Sequence, residues 1–158
     1  MGDIVTNRKA RRDYEILETV EAGIVLRGTE VKSLRAGAGQ IGDAFVRVEN
    51  GEAFLYNAHI DEYAQGNRAN HQPKAPRKLL LHRPEIRKLA EAAAVSGHAL
   101  VPLSLYWKEG RVKVAVAVGK GKQEFDKRQD IKEREAQRQL KRVKMRHLKG
   151  QSVARPKP

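Results

Sequence analysis

The chain has 158 residues and contains no cysteine. Disulfide bonds, thiolate catalysis and cysteine-ligated zinc are therefore excluded, and this composition is compatible with a reducing compartment. No apolar run approaches the roughly 18–20 residues that a helix needs to cross a bilayer. The first residues also lack the apolar segment of a secretory signal peptide. These absences predict a cytoplasmic protein that does not interact with membranes.

Aromatic residues are scarce, at 5% of the chain, so few side chains are available to stack on nucleobases. Phe54 and Tyr56 share one face of a predicted strand, a position more typical of a core than of a stacking platform. Tyr106 and Trp107 are adjacent and point to opposite faces of another strand. We therefore expect one of the two to be exposed and able to stack on a base.

Acidic residues are absent after Glu135, whereas basic residues continue to the end of the chain. Residues 120–158 contain fourteen Lys and Arg against five Asp and Glu, which is +9 of the total net charge of +13. Residues 14–119 carry a net charge of only +2, and residues 1–13 carry the remaining +2. A nearly neutral body with so basic a tail predicts a polyanionic partner, of which RNA or DNA is the commonest.

The residues that would indicate an enzyme are not arranged for catalysis. The four serines lie outside any nucleophile-elbow pattern, and the five histidines are scattered without metal-ligand spacing. The GKGK segment (119–122) lacks the frame of a phosphate-binding P-loop, and the glycines of GAGQIG (37–42) do not match the dinucleotide fingerprint. The sequence therefore predicts a binding protein, with no catalytic residue, metal or cofactor.

The first part of the body is predicted to form strands and one short helix. Tyr14–Thr19 and Gly23–Leu26 are predicted strands on either side of Glu21-Ala22-Gly23. Thr29 is predicted to cap a helix over Glu30–Arg35. The glycine-rich segment 37–43 is predicted to be a loop.

A β-hairpin is the clearest prediction in the middle of the body. Asn50-Gly51 is a strong tight-turn signal between the alternating segment Ala44–Glu49 and a return strand, Glu52–Ile60. The polar segment 61–78 is predicted to be an exposed loop.

The last part of the body is predicted to contain a helix between strands. A short strand, Leu79–Leu81, precedes a helix over Glu85–Val95, for which Pro84 suits the first turn. Ala99–Trp107 and Arg111–Val118 are predicted strands that flank the turn Lys108-Glu109-Gly110.

Together these elements predict a mainly β protein, a small antiparallel OB-like barrel with two or three helices. Three segments follow from the charge distribution: a basic N-terminal arm (1–13), the barrel (14–119) and a basic C-terminal tail (120–158) that starts with GKGK as a flexible hinge. The tail contains good helix formers, but its apolar residues are too few and too spread to form a core face. We therefore expect it to be disordered when free and to fold on a phosphate-rich surface.

Five collinear blocks resemble the small protein B family, the SsrA-binding proteins: NRKARRDY (7–14), EAGIVLRGTEVKSLRAG (21–37), LLLHRPEI (79–86), LSLYWKEGRVKVAVAVGKGK (103–122) and DKRQDIKERE (126–135). The resemblance covers almost the whole chain. Two positions depart from the common family pattern, since Arg12 stands where many relatives have His and Ala136 where many have Trp.

The resemblance implies a bacterial RNA-binding protein that accompanies transfer-messenger RNA (tmRNA) to stalled ribosomes in trans-translation. The OB-like barrel would bind the tRNA-like domain of this RNA as a monomer in a 1:1 complex. The tail would enter the empty mRNA channel near the decoding centre of the small subunit and become helical there. A ribosomal or general nucleic-acid-compacting protein is the alternative function.

The candidate site residues fall into two groups. The resemblance assigns RNA binding to Asn7, Glu21 and Leu80, with Lys32 and Arg35 as further candidates. The basic residues of the N-terminal arm and of the hinge are added to this set: Arg8, Lys9, Arg11, Lys120 and Lys122. The resemblance also assigns function on the ribosome to Asp126, Lys127 and Arg128 and to the bases that follow them, which are Lys132, Arg134, Arg138, Lys141, Arg142, Lys144 and Arg146.

Overall fold

The computed structural model describes residues 2–66, 70–122 and 124–149. The chain forms two units, of which the first ends at Gly121 and the second begins at Lys122. In the second unit, side chains are described only for Lys122 and for residues 131–143. Among the described residues, no helix is both long enough and apolar enough to cross a membrane.

Three long antiparallel strands form the centre of the first unit: β2 (Tyr14–Ile24), β8 (His98–Lys108) and β9 (Arg111–Gly121). β9 lies between the other two and pairs with each along most of its length. The turn from β8 to β9 places Glu109 at φ 53° and Gly110 at φ 75°. Such paired positive φ angles characterise the tight hairpin turns whose twist matches that of the strands.

The predicted β-hairpin is confirmed as β4 (Phe45–Glu49) and β5 (Glu52–Tyr56). Asn50 and Gly51 form its turn with φ angles of 51° and 76°. The return strand is shorter than predicted, because His59–Ile60 (β6) pairs instead with Gly39–Gln40 (β3) in a separate two-stranded sheet.

The large sheet has the order β1-β8-β9-β2-β7-β5-β4, with β1 at Asp3–Thr6 and β7 at Arg77–Leu80. All of its pairings are antiparallel, and they leave it open between β1 and β4. The sheet curls, since β4 also lies close to β8 near the opposite edge. A strongly curled but open antiparallel sheet of this kind agrees with the predicted mainly β, OB-like architecture.

The core lies on the concave face of the sheet. Alternate residues of β9 point into it, so that Val114 and Val116 are completely buried. Ala53 and Leu55 of β5 are also completely buried. This placement corrects the prediction for Phe54 and Tyr56, which alternate with these core residues and lie half-buried on the outer face.

Three helices accompany the sheet in the described part of the first unit: α1 (Arg8–Asp13), α2 (Gly28–Arg35) and α3 (Arg83–Ala93). α2 begins before Thr29, and its N-terminal Arg27 amide donates to the Glu30 carboxylate at 2.7 Å. Thr29 instead forms a hydrogen bond with buried His71 at 2.8 Å, so the predicted capping role of Thr29 is wrong. α3 covers one end of the core through buried Leu89.

The predicted break between two strands at Glu21-Ala22-Gly23 is wrong, because β2 continues through these residues as one strand. Their turn-like composition has another cause: Ala22 is completely buried, and a Cβ on Gly23 would lie 3.2 Å from the Cβ of Leu80. Small residues are therefore required where β7 packs beside β2.

The segment predicted to be a flexible hinge is mostly strand. Gly119, Lys120 and Gly121 complete β9, opposite the start of β2. A Cβ on Gly119 would lie 2.9 Å from the Cβ of Tyr14, so this glycine permits close side-chain packing across the ladder. The N-terminal residues likewise belong to the folded unit, where β1 forms an edge of the sheet.

The described residues of the second unit form one helix, α4 (Glu124–Lys149). All described side chains from Ile131 to Val143 are exposed. A helix without a buried face gains little from tertiary packing. Disorder of the free tail in solution and helix formation on a phosphate-rich surface therefore both stay predictions.

Candidate nucleic-acid interface

A continuous row of side chains crosses the outer face of the sheet where β2, β7, β8 and β9 lie side by side. Gly23 of β2 is opposite Leu80 of β7 on one side and opposite Lys113 of β9 on the other. Lys113 is in turn opposite Tyr106 of β8. Five side chains of this face form what we call the Leu80 surface: Glu21, Leu80, Tyr106, Lys108 and Lys113.

The carboxylate of Glu21 is held by two neighbours from β8. The Tyr106 hydroxyl donates to Glu21 Oε2 at 2.5 Å, and Lys108 Nζ donates to Oε1 at 3.1 Å. The hydrogen bond from Tyr106, followed by that from Lys108, lowers the pKa of Glu21 below its ordinary value of 4.5. Glu21 is therefore an ionised, oriented acceptor at neutral pH, suited to a base amino group or a ribose hydroxyl.

Tyr106 is fixed by the same contact. Partial burial, followed by the hydrogen bond to the carboxylate, raises the pKa of its phenol above the ordinary value of 10.0. Tyr106 lies on the outer face and Trp107 packs against the core, but both side chains are half-buried, so neither is exposed as expected, and stacking on a base stays a prediction. The phenol keeps its proton and remains the donor that orients Glu21.

Leu80 is an exposed apolar side chain beside this polar pair. Its exposure is 54%, although it lies in a strand whose neighbour Leu79 is only 2% exposed. It borders a depression of about 230 Å³ that also contains Gly23, Trp107 and Lys113. Because Gly23 has no side chain, Leu80 can make apolar contact with a ligand that lies flat on the sheet.

The two α2 candidates, Lys32 and Arg35, lie over aromatic rings. The guanidinium of Arg35 is 5.9 Å from the ring centre of Trp107, and Lys32 Nζ is 5.4 Å from that of Tyr63. Both distances are within the range of cation–π attraction. Arg35 therefore extends the Leu80 surface along the depression, whereas Lys32 is held beside the segment that follows β6.

α2 itself is anchored by a buried ion pair. Arg77 donates through Nε to the Glu30 carboxylate, and its Nη1 donates to the carbonyl of Ala58 at 2.6 Å. Both charged side chains are almost completely buried, with side-chain exposures of 2% and 4%. This pair fixes the position of α2 relative to β7 and thus the position of Arg35.

Asn7 is buried and has a structural role. Its Nδ2 donates to the carbonyls of Ile41 and Pro102 at 3.0 and 2.8 Å, and its Oδ1 accepts from the Ala10 amide at 3.0 Å. With 2% exposure, the side chain caps α1 and has almost no surface to offer to RNA. We therefore assign Asn7 a positioning role for the bases of α1.

The remaining candidates of the first unit lie at the opposite end of the β2–β9 ladder, which we call the α1 end: Arg8, Lys9, Arg11 and Lys120. All four are exposed. Lys9 pairs with Asp43 at 2.9 Å, which raises the pKa of Lys9 and lowers that of Asp43. Lys120 is opposite Glu15, six residues before Glu21 on β2, so the α1 end is about 20 Å from the Leu80 surface.

The predicted tail residues lie in the second unit. Five of them have described side chains, and four of these recur at helical spacing on one side of α4: Arg134, Arg138, Lys141 and Arg142. The opposite side carries Ala136, Leu140 and Val143, but also Lys132, and Ile131 lies on the basic side, so this segment is only partly amphipathic. Lys122 precedes the helix and is half-buried. The side chains of Asp126, Lys127, Arg128, Lys144 and Arg146 lie outside the described ones.

Two kinds of residue were missed by reasoning from the sequence. Lys108 and Lys113 join Glu21 only through strand pairing; the alternation of β9 indicates that Lys113 faces away from the core, but it does not reveal its neighbours. Phe45 and Tyr56 stack on the outer face with ring centres 5.5 Å apart and an interplanar angle of 17°. The pairing of Phe45 with Tyr56 across the hairpin was detectable from the position of Asn50-Gly51.

Comparisons with known proteins agree along the length of the chain. The family described as "SmpB protein" matches residues 4–146. An SsrA-binding protein of Thermobifida fusca (strain YX) is 56% identical over 140 residues, which are 89% of this chain and 88% of that protein. An SsrA-binding protein of Geobacillus sp. (strain WCH70) is 58% identical over 140 residues, which are 89% of this chain and 90% of that protein.

The fold also matches a solved structure, described as "tmRNA-SmpB: a journey to the center of the bacterial ribosome". The two chains superimpose with a TM-score of 0.66 at 50% sequence identity, covering 76% of this chain and 85% of the other. Sequence and fold thus lead to the same family along most of the protein. The chain belongs to the SmpB family, the SsrA-binding proteins.

Proposed function

We propose that this protein binds the tRNA-like domain of tmRNA and delivers it to stalled ribosomes for trans-translation. The observation that carries the proposal is the identity of 56% and 58% over 140 aligned residues to two SsrA-binding proteins. A solved structure of the same fold is described in terms of tmRNA, SmpB and the bacterial ribosome. Because the protein would act on the ribosome, we infer that it is cytoplasmic.

The first unit supports this function by offering two contact regions of different chemistry. The Leu80 surface combines an exposed apolar side chain with an ionised acceptor and the cation of Lys113, which suits recognition of bases and riboses. The α1 end offers cations that neutralise phosphate without reading sequence. We propose that the first region selects the RNA and that the second adds affinity.

The second unit supports a separate role on the ribosome. Its described bases from Lys132 to Arg142 lie on an exposed helix, where they are accessible to phosphate. We propose that α4 occupies the mRNA channel, with its basic side toward ribosomal RNA. The tail would then be needed for tagging of incomplete peptides and not for the choice of RNA.

Sequencing the RNA that co-purifies with the full-length protein from bacterial cells tests the proposed function. We expect one dominant species, tmRNA, because the Leu80 surface selects by chemistry beyond charge. A broad mixture of RNAs in proportion to their abundance would contradict the proposal and would favour a general nucleic-acid-compacting protein.

A further inference from the structure

A groove separates α3 from the end of the sheet, next to the Leu80 surface. Its volume is about 730 Å³, and it opens between α3, β7 and the tip of the β4–β5 hairpin. We call it the α3 groove. Its floor is apolar and consists of Val48, Leu80, Leu81, Ile86 and Ala90. Its rim has three bases and one acid, which are Lys78, Arg83, Arg87 and Glu52.

The rim contains two cations that are not used within the described part of the protein. Lys78 Nζ pairs with Glu52 at 3.2 Å, so those two charges largely cancel. Arg83 and Arg87 are exposed and form no ion pair with any described residue. The rim therefore presents a net positive charge that is concentrated on α3.

The stability of α3 does not account for these two arginines. Arg83 occupies the first turn, where the helix dipole favours an acid over a base. Arg87 follows four residues later, so the two like charges are neighbours on one face of the helix. The placement of Arg83 and its repulsion with Arg87 are unfavourable for the helix, while Arg87 also lies one turn before Glu91, which is a favourable spacing. A ligand of opposite charge would remove the unfavourable part.

We propose that the α3 groove binds the sugar–phosphate backbone of the RNA strand that contacts Leu80. The proposal rests on the proposed function, and Leu80 connects the two regions because it lines both depressions. Guanidinium groups match phosphate oxygens in charge and geometry. The two groups are one helical turn apart, about 6 Å along the axis, so each can meet a different phosphate while riboses lie on the apolar floor.

The test uses the full-length protein with two double variants that remove the same charge. Arg83→Gln with Arg87→Gln removes the groove cations and keeps good helix formers. Lys74→Gln with Lys88→Gln is the control, because neither lysine lines the groove and Lys88 pairs with Glu18 on β2. Circular dichroism and thermal unfolding establish that both variants are folded before binding is measured.

Binding of a fluorescently labelled tRNA-like domain of tmRNA is then titrated at several salt concentrations. We expect the groove variant to bind about tenfold more weakly at moderate salt, with a salt slope smaller by about 2, since each lost phosphate contact removes about one from the slope. The control is expected to bind like the wild type. Equal affinities and slopes for the two double variants would overturn the proposal.

Leu80→Ser separates failure of this inference from failure of the proposed function. If Leu80→Ser weakens binding while the groove variant matches its control, the RNA does not use the groove and the proposed function stands. If the wild type itself does not prefer the tRNA-like domain over an unrelated RNA of equal length, the proposed function fails, and the groove proposal fails with it.

Discussion

Glu21 and Asn7 are both predicted from the sequence to contact RNA, yet the structure places them in opposite situations. Glu21 is exposed and oriented by Tyr106, 85 residues away in sequence. Asn7 is enclosed by the Ile41 and Pro102 carbonyls, and its side chain serves the fold. A resemblance can mark a residue as important, but only its surroundings show whether it touches the ligand.

Tyr106→Phe tests whether the phenol orients Glu21. The hydrogen bond from Tyr106 is the largest cause of the lowered Glu21 pKa, so its loss should raise that pKa toward 4.5. Ionised Glu21 is the form that Tyr106 stabilises. The stability advantage of the wild type is therefore fully present above pH 4.5 and is lost as the pH falls through the lowered pKa.

The Glu21 pKa is measured in both proteins by NMR titration of its carboxyl carbon. The affinity of Tyr106→Phe for the tRNA-like domain at pH 7 should also fall. Glu21 stays ionised at this pH, but its carboxylate is no longer oriented by the phenol. An unchanged pKa in Tyr106→Phe would show that the phenol does not hold the carboxylate.

Asn7→Ala tests the positioning role of the buried amide. The variant loses the α1 cap and leaves two backbone carbonyls without their donor, which we expect to cost about 2–3 kcal/mol in the free energy of unfolding. Urea denaturation measures this cost. A variant with wild-type stability and much weaker RNA binding would instead show that Asn7 contacts the RNA.

At the scale of elements, local signals predicted most strands, and long-range packing decided the rest. Asn50-Gly51 marked one hairpin correctly, and the valine alternation of β9 marked its core face. Gly23 was interpreted as part of a break between strands, and Gly119 as part of a hinge. Instead, Gly23 makes room for the side chain of Leu80 and Gly119 for that of Tyr14, each on another strand. Such contacts depend on strand pairing, which a single sequence does not reveal.

Glu30→Gln tests whether the buried ion pair fixes α2. The change leaves the Arg77 guanidinium buried without its counter-charge, which we expect to cost about 3–5 kcal/mol in the free energy of unfolding. The control is Lys78→Gln, which removes an exposed pair with Glu52 and should cost about 0–1 kcal/mol. Similar losses in the two variants, measured by urea denaturation, would show that the buried pair does not anchor the helix.

At the scale of the whole molecule, the charge partition predicted three segments, whereas the structure divides into two units. The first unit includes the N-terminal residues and β9 up to Gly121, so only the residues from Lys122 onward form the second. The two regions that we propose contact RNA are separated by about 20 Å along the ladder, and this separation was not predictable from the sequence. Their separation depends on the register that brings Glu15 opposite Lys120 and Gly23 opposite Lys113.

The most direct test of the account is competition binding to a labelled tRNA-like domain of tmRNA, with the full-length protein and with a chain that ends at Lys122. We expect both proteins to resist an excess of unrelated RNA of equal length, because selection lies in the first unit, and only the full-length protein to support peptide tagging on stalled ribosomes. Loss of this preference in the shortened chain, with its fold intact by circular dichroism, would contradict the assignment of RNA selection to the sheet.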